Sequence, residues 1–116
     1  MLRLIVTGGR DFNDYELLSQ KLDLLLSKTA NAVIISGMGQ GADNLAERYA
    51  EENKIRVSTF PANKKKHAHS WVLRKHIDMA RNADACVCFW DGKSAIAKHM
   101  IDTAQRYKLK LRIINY

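Results

Sequence analysis

The stretch SGMGQGAD, residues 36–43, places three of the chain's six glycines within five residues, directly after an apolar run. Gly8 and Gly9 follow an earlier apolar run, Gly92 follows a later one, and no glycine lies elsewhere. Glycine allows other groups to approach the backbone closely and allows positive φ. Three glycines in one turn therefore indicate that some group passes close to the backbone there.

Five short apolar runs, rich in β-branched and large side chains, predict strands. They lie at about 2–7, 32–36, 55–60, 85–90 and 111–115. Between successive runs apolar residues recur at helical spacing, as Leu18, Leu22 and Leu25 do after the first. Because parallel strands need crossover connections and are buried on both faces, this alternation favours a parallel sheet. We predict an α/β fold, a three-layer open sheet of about five mainly parallel strands with helices on both faces.

Length and composition predict one domain that spans residues 1–116, since 116 residues with 47% hydrophobic content can form a single core. No apolar stretch is long enough to cross a bilayer and the first residues do not resemble a signal peptide, so we expect a cytoplasmic protein without membrane contact. The formal charge of +7 favours anionic partners. Cys86 and Cys88 lie within a predicted strand, where buried reduced thiols are expected. No cofactor is predicted.

All six glycines fall at the carboxyl ends of predicted strands, which is where sheets of this kind bind ligands. Helix amino termini begin just beyond these turns and favour an anion such as phosphate. Residues 37–41 have the spacing GxGxG, one residue short of the dinucleotide fingerprint, and residues 92–94 end like a Walker A loop that lacks the required glycine at position 87. The alternative is that the glycines only form tight turns.

Four polar residues near these turns are candidates for the chemistry. Arg10 could clamp a phosphate or pair with Asp11. Asp43 could cap a helix or accept a ligand hydrogen bond. Asp91 could orient sugar hydroxyls or a water molecule, or it could cap a turn. Asp43 and Asp91 are the catalytic candidates, whereas Ser94 is typical of a helix N-cap.

The segment KKKHAH at 64–69 is typical of a solvated basic loop, with contact to a ligand or nucleic acid as the alternative. Its two histidines do not complete a metal site, and no metal is predicted. Trp71 and Trp90 could stack on a base, although large aromatic side chains more often serve packing.

Four segments together resemble the YspA/YpsA-related branch of the SLOG superfamily. They are TGGRDF at 7–12, SGMGQGAD at 36–43, FPA at 60–62, and ADA at 83–85 leading into FWDG at 89–92. The resemblance covers nearly the whole chain and implies a Rossmann-like fold with a site for a nucleotide or a nucleotide-derived ligand.

The chain departs from that branch at two places. Ile96 and Ala97 stand where a glycine and a threonine are usual, and Arg74-Lys75 stands where an Arg-Asn pair is usual. The PGGxGTxxE stretch of the LOG phosphoribohydrolases is absent from the sequence.

We therefore predict that the chain binds or senses a nucleotide or nucleotide-derived small molecule at the carboxyl ends of the strands. The alternatives are a hydrolase acting on a nucleotide or an N-glycosidic bond, and a nucleic-acid-binding module, for which we expect weak binding only. A homo-oligomer is compatible with the sequence. The predicted ligand-binding residues are Gly8, Gly9, Arg10, Ser36, Gly37, Gly39, Gly41, Asp43, Pro61, Asp91, Gly92 and Ser94.

Overall fold

The structure, a computed structural model, describes residues 1–60 and 70–116, with the side chains of residues 70 and 71 left out of the description. Over these residues five strands alternate with four helices, which confirms the predicted order of elements. None of the helices in these ranges has the length and apolar character that crossing a bilayer requires. The elements are β1 (Leu2–Gly8), α1 (Tyr15–Leu26), β2 (Ala32–Ser36), α2 (Ala42–Glu52), β3 (Arg56–Thr59), α3 (Ser70–Arg81), β4 (Ala85–Trp90), α4 (Ala95–Arg106) and β5 (Lys110–Asn115).

The strands form one sheet in the order β3-β2-β1-β4-β5, and every neighbouring pair is parallel. Leu4 of β1 lies opposite Ile34 of β2 on one side and Ala85 of β4 on the other. The chain adds β2 and β3 on one side of β1 and then β4 and β5 on the other, so the strand order reverses between β1 and β4. The predicted α/β, Rossmann-like fold class is confirmed.

Side chains of β1 alternate between two cores, one on each face of the sheet. Leu4 and Val6 are buried against α1 and α2, whereas Ile5 is buried against α3 and α4. Cys86 and Cys88 of β4 are free and buried, as predicted. Two helices therefore cover each face of the sheet. The loops at its carboxyl edge are where a ligand site can form.

The helices differ in how their amino termini are capped. Asp14 accepts a hydrogen bond from the Leu17 N–H at the start of α1. Ser94 does the same for the Ala97 N–H at the start of α4, as predicted. The N-cap residue of α2 is Gly41, which offers no side chain. The amino terminus of α2 thus carries no side-chain cap of its own.

Two histidines join α3 to α4. Nδ1 of His76 lies 2.9 Å from Nδ1 of His99, and the two rings stack with their centroids 5.1 Å apart. One Nδ1 must accept this hydrogen bond, so the pair cannot be fully protonated. Burial first, and then the charges of His99 and Lys75, lower the pKa of His76 to about 3. Folding therefore disfavours the protonated form of His76.

Acid should weaken the fold through His76. Its folded pKa lies below the unfolded value, so its contribution is fully present above pH ~6.5 and is lost as the pH falls toward the folded value. We expect the free energy of unfolding, measured with urea, to fall by about 1 to 2 kcal/mol between pH 7 and pH 5. The variant His76→Gln should lose much less over the same interval, and an equal loss in both proteins would contradict the assignment.

Candidate functional site

The turns after β1 and β2 are in direct contact. The Gly9 carbonyl accepts hydrogen bonds from the Ala42 N–H at 3.4 Å and from the Phe12 N–H at 3.3 Å. Gly41 has φ +74° and ψ −122°, a conformation that L residues rarely adopt. A Cβ at Gly41 would overlap the Gly9 carbonyl oxygen and lie 2.7 Å from that of Arg10. The two turns therefore fit together because position 41 lacks a side chain.

Side-chain hydrogen bonds fix the backbone of the second turn. The Ser36 hydroxyl accepts from the Met38 N–H at 3.1 Å and donates to the Glu47 carboxylate at 2.7 Å. Met38 has φ +60°, which is unfavourable for a residue with a side chain, and that side chain is 53% exposed. The Ser36 hydrogen bonds thus hold the turn with Met38 in a sparsely populated backbone conformation.

The group that passes closest to Gly37 and Gly39 is the carboxylate of Asp43. One of its oxygens, Oδ2, accepts the Gly39 N–H at 3.0 Å. A Cβ would lie 3.0 Å from this oxygen if built at Gly39 and 3.1 Å from it if built at Gly37. Asp43 is only 6% exposed. Glycines 37 and 39 therefore make room for a buried side chain of the protein itself.

Lys75 of α3 is the second group against this turn. Its ammonium donates to the Gly37 carbonyl at 2.9 Å, and a Cβ at Gly37 would lie 3.2 Å from Nζ. Burial lowers the pKa of Lys75, the carboxylate of Asp43 opposes that shift, and the nearby guanidinium of Arg10 adds to it. Lys75 thus brings a positive charge to one buried carboxylate, and Arg10 brings a second positive charge near Lys75.

The electrostatic state of Asp43 follows from its surroundings. Burial raises the pKa of its carboxyl, and the negative charge of Glu47 adds to the rise. The Thr7 hydroxyl, the Gly39 N–H and the ammonium of Lys75 act in the opposite direction. The second oxygen, Oδ1, is enclosed, and no polar group in the described parts of the chain forms a hydrogen bond of good geometry with it.

The turn after β4 has a different construction. The Asp91 carboxylate accepts the N–H groups of Lys93 and Ser94, both at 2.8 Å, and these bonds lower the pKa of Asp91. Gly92 has φ +83° with open space around it. Trp90 donates its indole N–H to the Ser94 carbonyl at 3.1 Å. Asp91, Ser94 and Trp90 therefore have structural roles in this turn, and a ligand role for them stays a prediction.

The first glycine pair is covered by aromatic residues. A Cβ at Gly8 would overlap the Phe89 carbonyl oxygen, and one at Gly9 would overlap the Tyr116 hydroxyl. Tyr116 donates to the Asp11 carboxylate at 2.6 Å. Arg10 is exposed, and the ion pairs found among the described side chains, Arg48–Glu52 and Lys98–Asp102, do not involve it.

The structure thus brings the first two turns and Asp43 together. Gly92 meets none of the other glycine turns within contact distance. Pro61, the basic segment 64–69 and the side chain of Trp71 lie outside the described residues. Sequence reasoning missed Lys75 as a site residue, although its position already differed from the usual Arg-Asn pair. Across the described residues there is no cluster of three or more side chains suited to a metal ion.

A groove of about 180 Å³ lies on the α3 side of β1, β2 and β3. It contains none of the predicted site residues. Its lining residues are Met1, Arg3, Val33, Ile35, Arg56, Ser58, Phe60 and Asn82.

Comparison with known proteins places the chain among its relatives. The model of the YspA, cpYpsA-related SLOG family, YAcAr, matches residues 2–67. The chain belongs to this SLOG family. The Gene 61 protein of Mycobacterium phage D29 is 31% identical over 126 residues, which cover 100% of this chain and 97% of the phage protein. No solved structure matches. The matched SLOG region contains the first two turns and Asp43 but ends before α3, so Lys75 lies beyond it.

Replacing two glycines one at a time with alanine should separate the effect of contact between the turns from the effect of backbone strain on stability. Gly41→Ala introduces both a steric clash with the first turn and an unfavourable φ, so we expect a loss of about 3 kcal/mol or more in the free energy of unfolding. Gly92→Ala introduces only an unfavourable φ, since nothing lies near its Cβ, and should cost about 1 to 2 kcal/mol. Urea unfolding of the two variants measures the difference. Equal losses would show that contact between the first two turns contributes nothing.

Proposed function

We propose that the chain binds or senses an anionic, nucleotide-derived small molecule at the carboxyl ends of β1 and β2. The observation that carries this proposal is the Lys75 ammonium held against the second glycine turn, with the charge of Arg10 nearby and with no side-chain cap at the amino terminus of α2. Membership of the SLOG family supports a nucleotide-related ligand.

The charges at this position favour an anion. Asp43 is the buried carboxylate beside Lys75, and it balances one of the two neighbouring cations. The exposed guanidinium of Arg10 is free of the ion pairs described above and can form two parallel hydrogen bonds to a phosphate. An anion here would also interact favourably with the N–H groups and the dipole at the start of α2.

Binding has more support than hydrolysis. The Asp91 carboxylate already accepts two backbone N–H groups of its own turn. Asp43 has one oxygen on Gly39 and the other enclosed, so neither is presented to a water molecule. The two catalytic candidates also belong to different turns.

A thermal-shift screen with AMP, ADP, ADP-ribose and related compounds tests the proposal. A ligand that binds only the folded state should stabilise the protein by about 2.7 kcal/mol at a hundredfold excess over Kd. A single-stranded oligonucleotide in the same assay should bind weakly and lose affinity steeply with added salt. Stabilisation by the oligonucleotide alone at physiological salt would favour the nucleic-acid-binding alternative.

Removing either cation should weaken binding of the best compound. We expect Lys75→Met and Arg10→Ala each to raise Kd by about ten- to a hundredfold, the loss of a charge-assisted hydrogen bond. Lys28→Met is the matched control, because it removes the same charge from the exposed turn between α1 and β2, at the opposite edge of the sheet from the glycine turns. Calorimetric titration measures all three. If Lys28→Met weakens binding as much as Lys75→Met, the attraction comes from net charge and the proposed site is wrong.

A further inference from the structure

The enclosed oxygen of Asp43 requires an explanation. The Thr7 hydroxyl is near enough to lower the pKa of Asp43 but forms no hydrogen bond of good geometry with its carboxylate, and a buried carboxylate oxygen left in this state costs folding free energy. Since Oδ1 is enclosed, neither a water molecule nor a ligand hydroxyl reaches it in this conformation. A proton needs no additional space, and in the protonated carboxyl the oxygen no longer carries unpaired negative charge.

The neighbours of Asp43 hold its two protonation states in balance. The Thr7 hydroxyl of β1, the Gly39 N–H and the Lys75 ammonium of α3 favour the ionised form. Burial and Glu47 of α2 favour the neutral form. The positive charge of Arg10 acts on Lys75. The thiols of Cys86 and Cys88 in β4 lie within electrostatic reach of the Asp43 carboxylate. A further negative charge at the site would shift this balance toward protonation.

We propose that an anion bound beside Lys75 drives the uptake of one proton by Asp43, so that the affinity of the site for anions falls as the pH rises. This inference rests on the proposed function and adds its regulation. The proton comes from solvent and binds to the Asp43 carboxyl, and no covalent bond of the ligand forms or breaks. Neutralising Asp43 leaves the charge of Lys75 without a nearby negative charge, and the bound anion then supplies one.

Sulfate is the appropriate probe because it keeps its double charge over the pH range of the test, whereas phosphate titrates within that range. The ¹³Cγ chemical shift of Asp43 is followed from pH 4 to pH 8, with and without saturating sulfate. Sulfate should move the titration midpoint to higher pH. His76, the neighbour of Lys75 in sequence, stays neutral because its pKa of about 3 lies below this range.

Calorimetry with sulfate in two buffers of different ionisation enthalpy counts the protons taken up. We expect uptake close to one proton, and a Kd that rises by up to about tenfold per pH unit above the midpoint of the free protein. Asp43→Asn keeps the shape of the side chain but has no titrating carboxyl. It should bind sulfate with an affinity independent of pH and with no proton uptake.

The outcomes separate the two proposals. If sulfate perturbs the amides of Gly39 and Lys75 but leaves the titration midpoint of Asp43 unchanged, the proton coupling is wrong and anion binding stands. The coupling is equally wrong if Asp43→Asn retains the pH dependence of the parent. If neither sulfate nor a nucleotide perturbs these amides, the proposed function fails, and the coupling fails with it.

Discussion

The buried carboxylate of Asp43 is the interaction on which the rest of the site depends. It lies in the first turn of α2, accepts the Gly39 N–H of the second turn and faces the ammonium of Lys75 from α3. Burying an ionisable group is costly unless it is paired or hydrogen-bonded, so its surroundings must adapt to it. Glycine at positions 37 and 39 and lysine at position 75 are those adaptations.

Most of the fold could be predicted because its signals are local. The three central strands β1, β2 and β4 are apolar runs, each helix has its own periodicity, and strict alternation of strands and helices leaves few arrangements other than a parallel sheet. The last strand, β5, is at an edge of the sheet and carries charged residues, including Lys110 and Arg112, on its exposed positions. Such an edge resists pairing with other chains.

The site could be predicted only in part. The glycines lie at the carboxyl edge of the sheet, but composition cannot say what approaches them, and at Gly37 and Gly39 the close neighbour is a side chain of the protein itself. Lys75 meets Gly37 across 38 positions of sequence and Tyr116 meets Asp11 across 105. A lysine in the middle of a helix is ordinarily solvated, so no local pattern distinguishes this one. Only its place in the family pattern offered a signal.

The contact between the first two turns has a consequence for how the molecule opens. The bond from the Ala42 N–H to the Gly9 carbonyl joins segments that meet only when β1 and β2 are paired. Amides at this junction should therefore exchange with solvent deuterium only through cooperative unfolding of the sheet. The β4 turn is closed by bonds from Lys93 and Ser94 to the adjacent Asp91. This turn can open and reclose without unfolding of the sheet. The amides of the β1 and β2 turns should therefore be better protected from hydrogen exchange than those of the β4 turn, although all three turns lie at the same edge of the sheet.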